Sequence, residues 1–249
     1  MKKARIFSVI FLIASLFILS SGVFAGQNQS PKTVGVILSG CGVMDGAEIS
    51  EAVLTLLALD QAGARVVIMA PNIPQKQVVN HLTGKVVPNE KRNVLVEAAR
   101  IARGKIHDVK TVSAAQLDAL IMPGGYGVAK NICDFAFKGT KCSVNSDVEK
   151  LILAMHAAQK PMGFICISPV LAAKVLGKFH PKLTIGHDKK TMEAIRELGG
   201  VPEERDVTQI CVDTQNKVVS TPAYMLGPTI APVAKGIKKL VNQVLLMAK

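Results

Sequence analysis

The residue with the clearest chemical potential is Cys166, in the segment Gly163-Phe164-Ile165-Cys166-Ile167-Ser168-Pro169. The apolar run before it predicts a strand, and Pro169 suits the first turn of a helix. A sharp strand-to-helix turn presents a side chain at the edge of a sheet, as in a nucleophile elbow. We therefore expect an exposed thiol whose pKa is lowered by the N-terminus of the following helix. An inert buried cysteine is the alternative.

Two glycines and the amide after the cysteine are candidates for stabilising a negatively charged oxygen. Gly124 and Gly125 follow the predicted strand 119–122, and Ile167 directly follows Cys166. Glycine allows a backbone N–H group to approach a ligand closely, so these three amides are expected to supply an oxyanion hole. An ordinary turn at the end of a strand is the alternative for the two glycines.

Acid–base partners for the thiol are expected from a glutamate and a histidine. Glu51 is the only charged residue in the helical stretch 49–59, so it is expected to be enclosed and to exchange a proton near the cysteine. A first-turn glutamate that favours the helix N-terminus is the alternative. Among five histidines, His187 follows the predicted strand 183–185 and is the best-placed base, with His81 in a polar loop second.

The elements that position these residues alternate between strand and helix. Such alternation builds a parallel sheet that is covered on both faces, with ligands beyond the carboxyl ends of its strands. We predict an α/β fold, a three-layer sandwich with a mostly parallel, flavodoxin-like central sheet and a C-terminal β-hairpin plus helix. The predicted strands are 33–38, 65–70, 119–122, 162–165, 183–185, 209–212 and 218–221, and the predicted helices are 48–61, 94–102, 147–158, 169–176, 191–198 and 231–247.

Residues 1–25 have the features of a secretory signal peptide. Lys2, Lys3 and Arg5 precede an apolar run, and Val23-Phe24-Ala25 suits a cleavage site. The apolar run is about fourteen residues long, whereas a bilayer span needs about twenty, so an uncleaved anchor is the alternative. We predict an exported, periplasmic or secreted protein with a single domain over residues 26–249 and no stable membrane insertion after cleavage.

Charge and cysteine content argue against two classes of function. The net charge is +12, but the basic residues are scattered and lack interleaved aromatic residues, so no nucleic-acid partner is expected. The five cysteines form no C-x-x-C pair and no H-E-x-x-H motif occurs, so no structural zinc is expected. The sequence does not decide whether Cys133 and Cys142 form a disulfide, because their spacing does not show whether their Cα atoms approach.

Several stretches over nearly the whole mature chain share a pattern with one known family. They are 35–43, 51–58, 80–84, 92–100, 123–125, 129–131, 163–167 and 221–226. Together they resemble the ElbB-type glyoxalases of the PfpI-like, class I glutamine amidotransferase-like superfamily. The resemblance implies Cys166 as nucleophile, Glu51 as its carboxyl partner, and Gly125 with Ile167 as oxyanion donors. Because Ile167 rather than a histidine follows the cysteine, and no H-x-E motif occurs, peptidase and glutaminase activities are not expected.

The resemblance also implies a reaction. It is a cofactor-independent glyoxalase, a lyase, that converts glyoxal or a related 2-oxoaldehyde and water to glycolate through a cysteine hemithioacetal. Repair of glycated thiols or amines by the same residues, a deglycase activity, is a related alternative. A non-enzymatic redox-sensing or stress-protective binding protein, in which Cys166 is oxidised, is an alternative of another class. The expected partners are a small reactive aldehyde and a second copy of the chain in a homodimer.

Overall fold

A seven-stranded sheet forms the centre of the computed structural model, which describes residues 30–248. The predicted leader, residues 1–25, lies outside the described residues. The strands are β1 (Thr33–Ile37), β2 (Arg65–Ala70), β3 (Val79–Asn80), β4 (Lys85–Val86), β5 (His107–Asp108), β6 (Ala119–Met122), β7 (Met162–Ile165), β8 (Lys182–Leu183), β9 (Val201–Pro202), β10 (Cys211–Asp213) and β11 (Val218–Thr221). The α-helices are α1 (Ile49–Gln61), α2 (Val94–Ile101), α3 (Phe135–Lys138), α4 (Ser146–Ala157), α5 (Pro169–Leu176), α6 (Lys189–Glu197) and α7 (Ile230–Met247).

The central sheet is mostly parallel. Its strand order is β10-β11-β7-β6-β1-β2-β5, and its neighbouring strands are parallel except for the antiparallel hairpin of β10 and β11 at one edge. The main parallel strands, counted along the chain, follow the order 2-1-3-4-5 of flavodoxin-like folds. The predicted flavodoxin-like sheet with a C-terminal hairpin and helix is therefore confirmed.

Helices cover both faces of the sheet, and each face has its own apolar core. Ile121 of β6 and Ile165 of β7 face the core that includes α1, α2 and α7. Met122 and Phe164, their neighbours in the same strands, face the core that includes α4 and α5. Because these strands are buried on both faces, they appear in the sequence as continuous apolar runs. The three-layer sandwich is confirmed.

The short strand β8 differs from the prediction, which placed residues 183–185 in the central sheet. It pairs with β9 in a separate two-stranded sheet. Side chains of the C-terminal hairpin accept N–H groups at β8 and just after it, since Lys182 N–H donates to Asp213 Oδ2 at 2.9 Å and Thr184 N–H to Ser220 Oγ at 2.8 Å. The segment therefore packs against the hairpin without joining the backbone ladder of the sheet.

Local side-chain contacts define where the helices begin. Asn93, Asn145 and Asp188 cap α2, α4 and α6 by accepting N–H groups from the first turn. Glu48 caps α1 in the same way, and Pro169 occupies the first turn of α5. Within residues 30–248, no helix combines the length and apolar composition that a membrane crossing needs.

The packing of α7 provides a test of the fold. Leu240 is fully buried against Gly163 of β7, whereas Leu246 on the same helix is 79 % exposed. We expect Leu240→Ala to lower the free energy of unfolding by roughly 2–5 kcal/mol through loss of contacts and an unfilled cavity. Leu246→Ala is the matched control and should change it by less than about 0.5 kcal/mol. Urea denaturation measures both values, and equal effects would contradict the described packing of α7.

Candidate active site

A sharp turn follows β7 and carries Cys166. The backbone of Cys166 has a φ of +62°, a left-handed conformation that is uncommon for residues other than glycine. Its N–H donates to the carbonyl of Thr221 at 3.0 Å. The buried Ser168 hydroxyl closes the turn, because Ile165 N–H donates to its oxygen at 2.7 Å and it lies 2.9 Å from the carbonyl of Met122. These contacts tie the turn to both neighbouring strands, as expected of a nucleophile elbow.

The carboxyl group of Glu51 lies beside the thiol. Glu51 is fully buried in the first turn of α1. Gly124 N–H donates to its Oε2 at 2.9 Å, Tyr224 N–H lies 3.2 Å from its Oε1, and the carboxyl group hydrogen-bonds to the side chain of Cys166. The first turn of α1 and the loops after β6, β7 and β11 therefore meet at one carboxyl–thiol pair.

The surroundings change the acidity of both groups. Burial raises the pKa of Glu51 to about 7, with a further contribution from the charge of Glu48, while the N–H groups of Tyr224 and Gly124 oppose the rise. Burial and the charge of Glu51 likewise raise the pKa of the Cys166 thiol well above its ordinary value. Because the groups are in contact, they titrate as a pair. A pair that holds a proton near neutral pH can act as both acid and base at the sulfur.

The prediction of an exposed thiol with a lowered pKa is wrong. Cys166 is only 8 % exposed, because Gly124 and Glu51 pack against it. The helix that was expected to favour the thiolate begins only at Pro169, and burial together with the charge of Glu51 raises the pKa of the thiol. Cys166 nevertheless borders an open pocket, so a small ligand can reach the sulfur.

The two glycines after β6 have different roles. A Cβ atom on Gly124 would lie 2.5 Å from Cβ of Cys166, so only glycine fits. Its N–H is committed to Glu51, and the prediction that it belongs to an oxyanion hole is wrong for that reason. Gly125 has a φ of +96°, and its N–H and that of Ile167 hydrogen-bond to the sulfur of Cys166. These two amides are placed to bind an oxygen on a carbon attached to the sulfur.

A cavity of about 920 Å³ opens beside Cys166. One part of its lining is apolar or aromatic, with Val43, Tyr126, Ala129, Phe135, Ile167, Tyr224 and Met225. The other part comes mainly from α6 and the residue that caps it, Asp188, and is rich in charge. Four carboxyl groups (Glu48, Asp188, Glu193 and Glu197) and one ammonium group (Lys190) border the cavity. The pocket therefore has an excess of negative charge although the chain as a whole is basic.

The structure does not bring either candidate histidine to the thiol. His187 is absent from the pocket lining, and its Nε2 lies 3.6 Å from Oδ1 of Asp206. His81 accepts Met44 N–H at Nε2 (3.1 Å), and its Nδ1 lies 3.0 Å from the carbonyl of Val79. Backbone groups therefore hold the His81 imidazole, and neither the predicted base His187 nor His81 is part of the pair at Cys166.

Sequence reasoning missed two contributors to the site. Ser168 ties β6 to β7, and its position just before Pro169 was the available signal. Tyr224 contributes a backbone N–H to Glu51, and a contribution of this kind leaves no mark in a side-chain pattern. Within residues 30–248, the His, Cys, Asp and Glu side chains form no group of three or more that could hold a metal ion.

Comparison with known proteins identifies the family, although no family model matches. The human "glutamine amidotransferase-like class 1 domain-containing protein 3, mitochondrial" is 46% identical over 221 residues, which are 85% of this chain and 82% of that protein. The rat "ES1 protein homolog, mitochondrial" is 45% identical with the same coverage. The chain belongs to the class I glutamine amidotransferase-like, PfpI-like superfamily.

Solved structures agree with membership of this superfamily. A crystal structure from Ehrlichia chaffeensis, described as an isoprenoid biosynthesis protein with an amidotransferase-like domain, has a TM-score of 0.80 and 37% identity. The alignment covers 86% of this chain and 99% of the Ehrlichia chaffeensis chain. A ThiJ/PfpI domain protein from Brachyspira murdochii has a TM-score of 0.53 at 14% identity, with 88% of this chain and 97% of that chain covered, which shows likeness of fold.

The comparisons correct the prediction of an exported, periplasmic or secreted protein. The human and rat superfamily members are mitochondrial, which conflicts with export, and the prediction is wrong on this finding. A basic N-terminal segment without acidic residues occurs in mitochondrial transit peptides as well as in secretory signals. Charge and hydropathy in residues 1–25 were therefore insufficient to identify a secretory route.

The raised pKa of Glu51 predicts a pH dependence of stability. The folded-state pKa is about 7 against an ordinary value of 4.5, so the stabilising contribution of the protonated group is present below about pH 4.5 and is lost as the pH rises through about 7. Over that interval, wild type should lose roughly 3 kcal/mol of unfolding free energy relative to Glu51→Gln. Urea denaturation at several pH values measures this difference.

The exposed Glu204 provides the matched control for that experiment. Glu204→Gln should follow wild type across the whole pH range, since its carboxyl group is surrounded by solvent. If Glu51→Gln also followed wild type, the carboxyl group of Glu51 would not be buried beside the thiol as described.

Proposed function

We propose that the chain is a cofactor-independent glyoxalase that converts glyoxal, or a related 2-oxoaldehyde, and water to glycolate. The observation that supports this is the buried Glu51–Cys166 pair at a pocket, with the N–H groups of Gly125 and Ile167 aimed at the sulfur. Cys166 supplies a nucleophile, Glu51 supplies an acid–base group, and the two N–H groups supply oxyanion donors. Superfamily membership is consistent with a glyoxalase or stress-protective role, and the resemblance to ElbB-type glyoxalases supplies the reaction class.

The first step forms a bond between the sulfur of Cys166 and one aldehyde carbon of glyoxal. The thiol proton passes to Glu51 as the sulfur attacks, and the carbonyl electron pair moves onto oxygen. The N–H groups of Gly125 and Ile167 stabilise the resulting oxyanion. Return of the proton from Glu51 to this oxygen gives a hemithioacetal and leaves Glu51 as a carboxylate, ready to act as a base.

The second stage moves hydrogen between the two carbons. Glu51 removes the proton from the carbon attached to sulfur, which gives an enediolate, and then delivers a proton to the second carbon. The hydroxyl proton on the first carbon moves to the oxygen of the second carbon, so the hemithioacetal becomes a thioester of glycolate. Water then attacks the thioester carbonyl, the carbon–sulfur bond breaks, and the Cys166 thiol is regenerated. The sum is glyoxal plus water to glycolate plus one proton, with no change in the oxidation state of the protein. His187 has no role in this scheme.

Glycolate production from glyoxal tests the proposal. We expect wild type to form glycolate in amine-free and thiol-free buffer. Cys166→Ala should lose the nucleophile and all activity above the blank, and Glu51→Gln should lose about 10²–10⁴-fold in rate because proton transfer fails. His187→Ala is the control and should retain wild-type activity.

Two results would count against the proposal. A wild-type rate equal to the buffer blank would refute the glyoxalase assignment. Activity that survives in a folded Cys166→Ala protein would show that the chemistry takes place elsewhere. Circular dichroism and thermal unfolding of each variant separate loss of activity from loss of folding.

The pocket favours a second candidate, a deglycase activity on aldehyde adducts of amines or thiols. Glyoxal has only four heavy atoms, whereas the cavity of about 920 Å³ is of the size that holds drug-sized ligands. Its excess of carboxyl groups favours an adduct that retains a positive charge, such as glyoxal on the side chain of free lysine, with its α-ammonium group intact. This candidate uses the same Cys166 and Glu51 and differs only in what fills the rest of the pocket.

Charge removal at the pocket rim distinguishes the two substrates. We expect Glu197→Gln to lower kcat/KM for the lysine adduct about two- to fivefold, the value of one exposed charge contact. It should leave kcat/KM for free glyoxal unchanged, because glyoxal is uncharged. Glu204→Gln, outside the pocket, is the control for both substrates. Equal effects of Glu197→Gln on the two substrates would contradict the deglycase candidate.

The homodimer stays a prediction. Ile49, Val53 and Leu57 recur at every fourth position of α1 and are each nearly half exposed. A stripe of this kind is the part of the described surface where we expect a second copy to pack, since an isologous interface needs a self-complementary apolar patch.

A further inference from the structure

A second pair of sulfur-containing side chains lies outside the site described above. Cys133 and Cys142 are both buried, at 4% and 3% exposure, and both are free thiols. The Cys133 thiol donates to the carbonyl of Val128 at 3.2 Å, and the two cysteine side chains interact with each other. The open expectation of a disulfide between them thus becomes an unbridged dithiol whose two sulfurs are already neighbours.

The backbone holds the two cysteines close together. Cys133 forms an isolated antiparallel bridge with Val144. On either side of this bridge, Asn145 N–H donates to the carbonyl of Ile132 at 2.8 Å and Asp134 N–H to the carbonyl of Ser143 at 3.2 Å. Cys142 precedes Val144 by two residues, so it lies diagonally across from Cys133 on the same face of the paired arms.

The two thiols differ in acidity, which favours a reaction between them. Interaction with the Cys133 side chain and the charge of Lys174 lower the pKa of Cys142 to about 7. The same interaction and burial raise the pKa of Cys133. Burial raises the pKa values of the other three cysteines, Cys41, Cys166 and Cys211. Cys142 is therefore the cysteine with the largest thiolate fraction near neutral pH, and thiolate is the form that reacts.

We propose that Cys133 and Cys142 form a redox-active dithiol that hydrogen peroxide converts into an intramolecular disulfide. The Cys142 thiolate attacks one peroxide oxygen, the O–O bond breaks, and the leaving hydroxide takes a proton to become water. The product is a sulfenic acid on Cys142. Cys133 attacks that sulfur, the S–O bond breaks, and a second water leaves with the proton from Cys133. Two thiols lose two electrons and two protons, and one peroxide becomes two waters.

The disulfide would act on the pocket through the loop that it closes. Phe135, Ala136, Gly139 and Thr140 lie between the two cysteines and line the cavity beside Cys166. A cross-link at the base of this loop restricts its conformations. Oxidation therefore stiffens one wall of the pocket and leaves the nucleophile unmodified. This places peroxide chemistry at Cys133 and Cys142, rather than at Cys166 as the redox-sensing alternative supposes.

Peroxide treatment of the full chain tests the proposal. The protein is treated with hydrogen peroxide, its remaining thiols are alkylated, and peptides are mapped by mass spectrometry without reduction. We expect the peptides of Cys133 and Cys142 to be joined, with a mass lower by two hydrogen atoms, and to separate again after dithiothreitol. Cys133→Ser and Cys142→Ser should each abolish the cross-link. Cys211→Ser, which removes a buried cysteine elsewhere, should leave it unchanged.

The experiment gives clear contrary outcomes. Selective oxidation of Cys166 with Cys133 and Cys142 still open to alkylation would overturn the proposal. So would oxidation of Cys142 to a sulfinic acid without loss of the Cys133 thiol. Both outcomes are measured on the wild-type protein, so they remain decisive even where a cysteine variant folds poorly. Cys166→Ala should form the same cross-link, which makes the outcome independent of the glyoxalase proposal.

Discussion

The site depends on one buried carboxyl group. Glu51 has no solvent contact, and backbone N–H groups of Gly124 and Tyr224 supply the hydrogen bonds that water would otherwise provide. A buried carboxyl group without such partners would be costly. Satisfying it requires the loops after β6 and β11 to reach α1, and Cys166 fills the space between them. The arrangement of three loops is thus inseparable from the burial of one side chain.

Strand order explains why these loops can meet. In a sheet of order 2-1-3-4-5, the connections leave β1 and β6 toward opposite faces, which opens a crevice at their carboxyl ends. The N-cap of α1, Glu48, and the loops after β6 and β7 border this crevice. Because strands β6 and β7 are buried on both faces, the loops at their ends are anchored by a rigid core. The sheet thereby supplies the precision that a proton transfer between two side chains demands.

The sequence predicted the features that depend on local order. The apolar runs of β6 and β7 and the proline after Cys166 identified the sheet and the turn, because strand burial and helix initiation leave a short-range pattern. The burial of Cys166 could not be predicted in the same way, since the atoms that cover it come from distant Glu51 and Gly124. The prediction placed His187 at the edge of the central sheet because it follows β8. Hairpin side chains accept N–H groups at β8 and just after it, and β8 lies outside the central sheet. Contacts of this kind are set by tertiary packing.

The edges of the central sheet have a consequence for behaviour at high concentration. The outermost strands, β5 and β10, are only two and three residues long. An edge strand is a template on which another chain can add by backbone hydrogen bonding, and its reach scales with its length. Edges this short offer a neighbouring molecule few consecutive donors and acceptors. Self-association by strand addition is therefore disfavoured by the sheet itself, which leaves contact between side chains as the available route to assembly.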